Sequence, residues 1–422
     1  MQPNRRAFML TGLAAATATT LARPAIAKPV TLTYWTPLDP KSKNPRSRGE
    51  AAMIAVFRKR HPDIEVSIQP VPWQVIGQQM MQAVLGGGGP DVAQLSTTNL
   101  PDQVAADTVK PLDDYVGKHW TTEEKQDFLL PWSNTVYDSK KMGFYWNTIL
   151  NNQLWYLRDE VSGTPPMKWD AFAEFMVPQA KKANKPGFLT GLSQTGNAVQ
   201  FTSWLIPAFW ASGADYLTPD GKPGFLNAGG EKPFAWLMAL IDKYKITPSS
   251  ITSLTRDNVL DGLEGRRALS TMMGSNVVST ARRSLGNSLV LADQPGPNGP
   301  CPAFGTGKFL VMNKQTQHAE AAGLFIEAMI SPDAQLANAK ISGEIPAVKS
   351  VLKDPWFKTP QAADIRSYLE YLAAYPHPFK YQKGNQFLAT RMALAAQQMV
   401  EGKPIRAALK EVAAQWEQQQ QG

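Results

Sequence analysis

Apolar and β-favouring residues alternate over Val30-Thr31-Leu32-Thr33-Tyr34-Trp35, a pattern that predicts a strand ending in the Thr36-Pro37-Leu38-Asp39-Pro40 loop. From Gly49 to Arg60 the apolar positions Ala51, Met53, Ile54, Val56 and Phe57 form a helical stripe, which His61-Pro62-Asp63 stops. Ile64 to Gln69 alternates as a second strand. Val75 to Leu85 reads as a second helix ending in Gly86 to Gly89, and Pro90 to Leu95 opens a third strand. Strand, helix, strand, helix, strand predicts a doubly wound α/β unit. Beyond it the pattern is mostly helical. Trp169 to Ala183, Gly230 to Lys243, Val259 to Arg267 and Ala319 to Met329 repeat apolar residues near every 3.6 positions. Ser331-Pro332-Asp333-Ala334 starts a further helix, and Gln386 to Gln415 is helical with a break at Gly402-Lys403-Pro404. Pro and Gly concentrate in 295–300, a connection between lobes.

The first residues do not belong to this pattern. Arg5-Arg6 precede a short apolar run from Ala7 to Leu21, and Ala25-Ile26-Ala27 supplies small residues for cleavage. This order predicts a secretory signal of the twin-arginine type, cleaved after Ala27, and a soluble exported protein in the periplasm. Removing Arg5, Arg6 and Arg23 lowers the net charge from +8 to +5. No block of five like charges occurs, so a nucleic-acid surface is not expected. The single Cys301 excludes an intrachain disulfide and a cysteine zinc cluster. The mature length suggests two lobes.

Motifs for enzymatic chemistry are missing. The four histidines are scattered, Gly-x-Ser-x-Gly does not occur, and Gly86 to Gly89 lacks the Lys-Ser/Thr ending of a phosphate loop. What stands out is twelve tryptophans among only 18% charged residues. Indole faces beside Ser, Thr, Asn and Gln suit a cleft for a polyhydroxylated solute, although most tryptophans serve packing. Trp236 and Trp416, on helical stripes, are expected in the core. The polar clusters beside aromatic residues are Ser96-Thr97-Thr98-Asn99 after the third strand, Gln194 to Gln200 before Trp204, and Gly274-Ser275-Asn276.

These segments together resemble the extracellular solute-binding family of ABC importers for sugars, which includes maltose- and glycerol-3-phosphate-binding proteins. The resemblance is carried by Phe57 to Val66, Gly89-Pro90-Asp91-Val92, Lys110 to Tyr115, Ser331 to Gln335 with Gly343 to Ala347, and Glu401-Gly402-Lys403 with Ala407-Ala408-Leu409. It implies an α/β fold of two lobes, each a sheet flanked by helices, with the ligand cleft between them. Lobe one is then 28–143 with 297–348, and lobe two 144–296 with 349–422. Residue by residue, the resemblance points to Trp35 and Asp39 after the first strand and to Ser96, Thr97 and Asn99 after the third. Trp146 and Asn147 fall at the first crossing. Asn197, Gln200, Trp204 and Asn276 fall in the second lobe, and Gly305 and Thr306 on a backbone glycine motif. Gln382 stands where the glycerol-phosphate binder has arginine, which favours a neutral sugar, oligosaccharide or polyol; Lys383 beside it keeps a phosphorylated polyol such as glycerol 3-phosphate as one alternative, and a periplasmic carbohydrate-active enzyme on a similar scaffold is the other. A monomer without catalysis, cofactor or metal is implied, with a permease pair and its ATPase as partners.

Overall fold

The structure is a computed structural model that describes residues 30–194, 199–379 and 381–421. The signal sequence and its cleavage site lie outside the described residues, as do Asn197 and the side chain of Gln200. The opening alternation gives β1 (Val30–Thr36), α1 (Pro45–Arg60), β2 (Ile64–Pro70), α2 (Ile76–Leu85) and β3 (Val92–Ser96). β1 pairs in parallel with both β2 and β3, so each connection is a helical crossover. Asn44 starts α1, its side chain accepting from the Arg46 N–H at 3.0 Å with Pro45 in the first turn. Three basic residues close the helix where its dipole is negative.

The chain continues through α3 (Leu100–Ala105), β4 (Val109–Lys110), α4 (Thr122–Lys125), the hairpin β5 (Val136–Tyr137) and β6 (Lys140–Lys141), and β7 (Phe144–Leu150). A second group follows: β8 (Gln153–Leu157), α5 (Trp169–Ala183), α6 (Val199–Ser212), α7 (Ala228–Asp242), α8 (Arg256–Glu264), β9 (Ser270–Met273), α9 (Val278–Leu285) and β10 (Leu289–Ala292). The chain then returns as β11 (Gly305–Asn313), α10 (Ala319–Ile330) and α11 (Pro332–Ser342). It ends in α12 (Ala363–Ala374), α13 (Asn385–Val400) and α14 (Ile405–Gln421).

Two sheets result. The first runs β2-β1-β3-β11-β4, with β7 also paired to β11. Its β11 is antiparallel to β3, β4 and β7, so a late return strand is set into the parallel unit. The second sheet is antiparallel, in the order β10-β8-β9. The expected boundary at 143/144 is therefore misplaced. That boundary puts Phe144–Leu150 in the second lobe, but all seven residues are buried and all except Trp146 ladder to β11 in the first sheet. The crossing falls instead at Asn151-Asn152, with a second between β10 and β11 and a third between α11 and α12. Trp236 stacks on Trp169 with ring centres 5.2 Å apart, and Trp416 is buried, as their helical stripes required.

Candidate functional site

Parallel strands end with unpaired backbone and room for a ligand beyond their carboxyl ends. In the first sheet, Pro37 and Leu38 follow β1, Ser96 ends β3, and Thr97 and Thr98 follow it. All of them line a cavity of about 450 Å³. Because β11 runs the opposite way, its beginning lies at this same edge and contributes Thr306, Gly307 and Lys308. The facing wall comes from elements around the second sheet. Thr202 and Ser203 project from α6, Arg256 and Asp257 from the first turn of α8, and Asn276 lies just past β9. A capping box, Thr255 with Asn258, starts α8 three residues earlier than the apolar stripe predicted, which is what brings Arg256 to the wall.

Buried polar groups are ordinarily hydrogen-bonded. Several along this cavity are not. Both amide atoms of Asn385, the Tyr216 hydroxyl and the Lys308 ammonium are buried without a hydrogen bond, and their residues are 2%, 1% and 2% exposed. Asn385 is the first residue of α13, after Gly384 in a left-handed turn (φ 82°), and no side chain caps that helix.

The cation Lys308 is placed by a bulge. It pairs with Asn147, whereas Phe309 pairs with Tyr145, so Trp146 is the extra residue of β7. The Asn147 side chain accepts from the Lys308 backbone N–H at 3.1 Å. The Lys308 ammonium lies 4.8 Å from the Trp146 ring centre and 5.7 Å from that of Trp73. It stands 3.6 Å from Glu344, an ion pair longer than a hydrogen bond, while Arg46 Nε donates to the same carboxylate at 3.0 Å. Burial, and then the Arg46 charge, pull the Lys308 pKa down to about 8 despite Glu344 and Glu50. Burial also opposes ionisation of Glu344, but Lys308 and Arg46 hold its carboxyl below the usual range. Behind them Glu50 accepts from Tyr34 at 2.8 Å, Thr36 at 2.9 Å and Gln94 at 3.0 Å. Burial nevertheless pushes its carboxyl up to about 7.

The residues expected from the sequence divide by location. Ser96, Thr97, Asn276 and Thr306 line the cavity, and Thr306 accepts from Asn151 at 2.6 Å. Trp146 and Asn147 are wholly buried beside it and hold Lys308. Gly305 pairs with Leu150 one step outside it, and Gly307 lines the wall instead. Trp35 and Asp39 are turned away: the Trp35 indole donates to Gln69, and exposed Asp39 closes a turn with the Lys41 N–H. Asn99 accepts from Ser96 and packs on Gly77. Trp204 is 1% exposed, its indole N–H on Thr190 at 3.0 Å and its ring edge-on to Trp236. Gln382 donates to the Thr218 carbonyl at 3.1 Å, outside the cavity lining. The backbone of Gln200 belongs to α6, and Asn197 lies outside the described residues. The sequence reading missed Arg46, Tyr216, Arg256, Lys308 and Asn385, none of which carries a local motif. Among the described residues no group of three or more His, Cys, Asp or Glu is arranged to hold a metal.

Two α/β lobes with a mixed polar and aromatic cavity between them define a two-lobed binding protein of the periplasmic type. The profile of the bacterial extracellular solute-binding protein family matches residues 43–336, and the chain belongs to that family. A protein of Brucella abortus (strain 2308), described only as a binding protein, is 23% identical over 308 residues. The match covers 71% of this chain and 73% of that protein. The fold is shared with maltose-bound MalE3 of T. maritima (TM-score 0.77, 20% identity, 92% of this chain and 99% of that one). It is equally shared with UgpB of Mycobacterium tuberculosis in complex with glycerophosphocholine (TM-score 0.77, 15% identity, 92% and 97%).

Proposed function

We propose that the protein is the solute-capturing subunit of an ABC importer, exported to the periplasm, cleaved after Ala27 and acting as a monomer. It takes a sugar or polyol between its lobes and presents it to a membrane permease pair driven by an ATPase, without altering it. The observation that carries this reading is one cavity walled by both lobes and lined by polar side chains, among them Ser96, Thr97, Asn276, Thr306 and Asn385. Hydroxyls of a solute are the groups that satisfy such donors and acceptors, and leaving them unpaired costs about 1–3 kcal/mol each. The aromatic faces of Trp73, Phe304 and Tyr381 in the same wall suit the C–H faces of a sugar ring or polyol chain. The sugar and glycerophosphodiester ligands of the two structural relatives are in keeping with that size and polarity.

Titration calorimetry of the protein against sugars and polyols tests it, with the solute analysed after overnight incubation. A solute should bind and be recovered unchanged, and Asn385→Ala should weaken it by roughly ten- to a hundredfold. Chemical conversion of the solute, or wild-type affinity in Asn385→Ala, would refute the reading.

A further inference from the structure

The cleft walls carry positive charge on both sides. Arg46 of α1 and Lys308 of β11 line it from the first lobe, and Arg256 of α8 lines it from the second. Resting on the solute-capture reading above, we propose that the solute bears an acidic group, a phosphate ester or a carboxylate, seated among Arg46, Lys308 and Arg256.

Three observations converge on that seat. Arg256 lines the cavity and makes no side-chain hydrogen bond or ion pair within 4 Å among the described residues. Arg46 spends only Nε, on Glu344, and leaves its terminal nitrogens without a hydrogen bond. Lys308 is held over two indoles, its buried ammonium 3.6 Å from the Glu344 carboxylate that Arg46 also uses and making no hydrogen bond. The anions present do not balance these cations. Glu344 is shared by Arg46 and Lys308, and Asp257 is an exposed residue of the rim. Glu50 lies behind the wall and, pushed up to about 7, is only partly ionised near neutrality. Burial, and after it the Arg46 charge, lower the pKa of both Arg256 and Lys308, so cations of opposite lobes already oppose one another.

A neutral sugar leaves that opposition in place and would take the half-buried Arg256 side chain out of water without a partner, which is costly. A phosphate or carboxylate accepts charge-assisted hydrogen bonds from both lobes at once. The acid therefore acts as the bridge: it removes the repulsion between the walls and so favours their closure upon it. The sugar or polyol part then occupies the hydroxyl-lined remainder, among Ser96, Asn276 and Asn385.

The test is calorimetry at low and high salt with glycerol 3-phosphate and glucuronate, their neutral counterparts glycerol and glucose, and inorganic phosphate alone. The same panel is run on Arg256→Gln and Arg256→Lys. The acids should bind at least about tenfold tighter than the neutral partners, with the margin shrinking at high salt. Arg256→Gln should abolish the margin while Arg256→Lys keeps part of it. Circular dichroism melting of both variants checks that they fold. Preference for glycerol 3-phosphate over glucuronate identifies the acid as a phosphate ester, and the reverse identifies a carboxylate. Equal binding of neutral and acidic partners, or a margin that survives Arg256→Gln, overturns the acid seat and leaves solute capture standing. Arg256-dependent binding of inorganic phosphate without binding of any sugar or polyol keeps the seat and overturns the polyol reading. Silence across all of them overturns both.

Discussion

Glu50 shows how a single side chain beneath the cleft couples stability to pH. Its carboxylate keeps donors from Tyr34, Thr36 and Gln94 but loses water, and the desolvation wins, raising its pKa from 4.5 to about 7. Between those values the folded protein holds a proton that the unfolded chain has released. The stability due to that proton is complete below about 4.5 and is lost as pH rises to about 7, a change of roughly 3 kcal/mol. Glu50→Gln keeps an acceptor for the same donors and cannot ionise. The difference in unfolding free energy between wild type and this variant, from urea titrations, should therefore fall across that window and level off above it. A difference that stays flat refutes the assignment. Residue-scale chemistry of this kind was not legible in the sequence, because Glu50 reads as one more polar position on an amphipathic stripe. The same holds for the site. Gln382 was singled out and Asn385 was not, yet a left-handed Gly384 between them turns Asn385 into the cavity and sends Gln382 to Thr218. Arg46, Arg256 and Lys308 lie far apart in sequence and meet only through the fold.

At the scale of elements the sequence was far more informative, and its failures have a common cause. β1, α1, β2, α2 and α5 fall within a few residues of their predicted bounds, because each shows one face to a core and its period is visible. β7 and β11 are buried almost throughout, so they carry no alternation to mark them as partners in one sheet. The same blindness put Trp204 in the cleft. The helix α6 is apolar on most sides, and its tryptophan points inward onto Trp236 and Phe201 while Thr202 and Ser203 line the cavity. Trp204→Ala should accordingly act on stability, removing about 3–5 kcal/mol as a core cavity opens. Chemical denaturation measures it. A variant of wild-type stability that has lost solute binding would return Trp204 to the site.

For the whole molecule, the proposed capture of a solute turns on how readily the lobes close, and two opposing electrostatic terms bear on that balance. Like charges face each other across the cavity, as argued for Arg46, Lys308 and Arg256. Against them, Asp102 of α3 in the first lobe accepts from the Gly384 N–H at 2.9 Å, at the otherwise uncapped start of α13 in the second. A carboxylate at a helix N-terminus is favourably placed for both the hydrogen bond and the dipole. Burial raises the Asp102 pKa, and the Gly384 N–H and the Lys383 charge counter it, so the contact is proposed as a latch between the lobes. A solute that binds only the closed form pays for closure out of its own affinity, so weakening the latch must weaken binding by the same factor. Asp102→Ala should thus enlarge the radius of gyration of the solute-free protein in small-angle scattering and raise the solute Kd several-fold. The solute-saturated radius should stay as in wild type, because the closed geometry is unchanged. Asp102→Asn, whose amide oxygen still accepts from Gly384 without the charge, should fall between the two. An unchanged free radius and Kd in Asp102→Ala would mean that the contact follows closure without stabilising it.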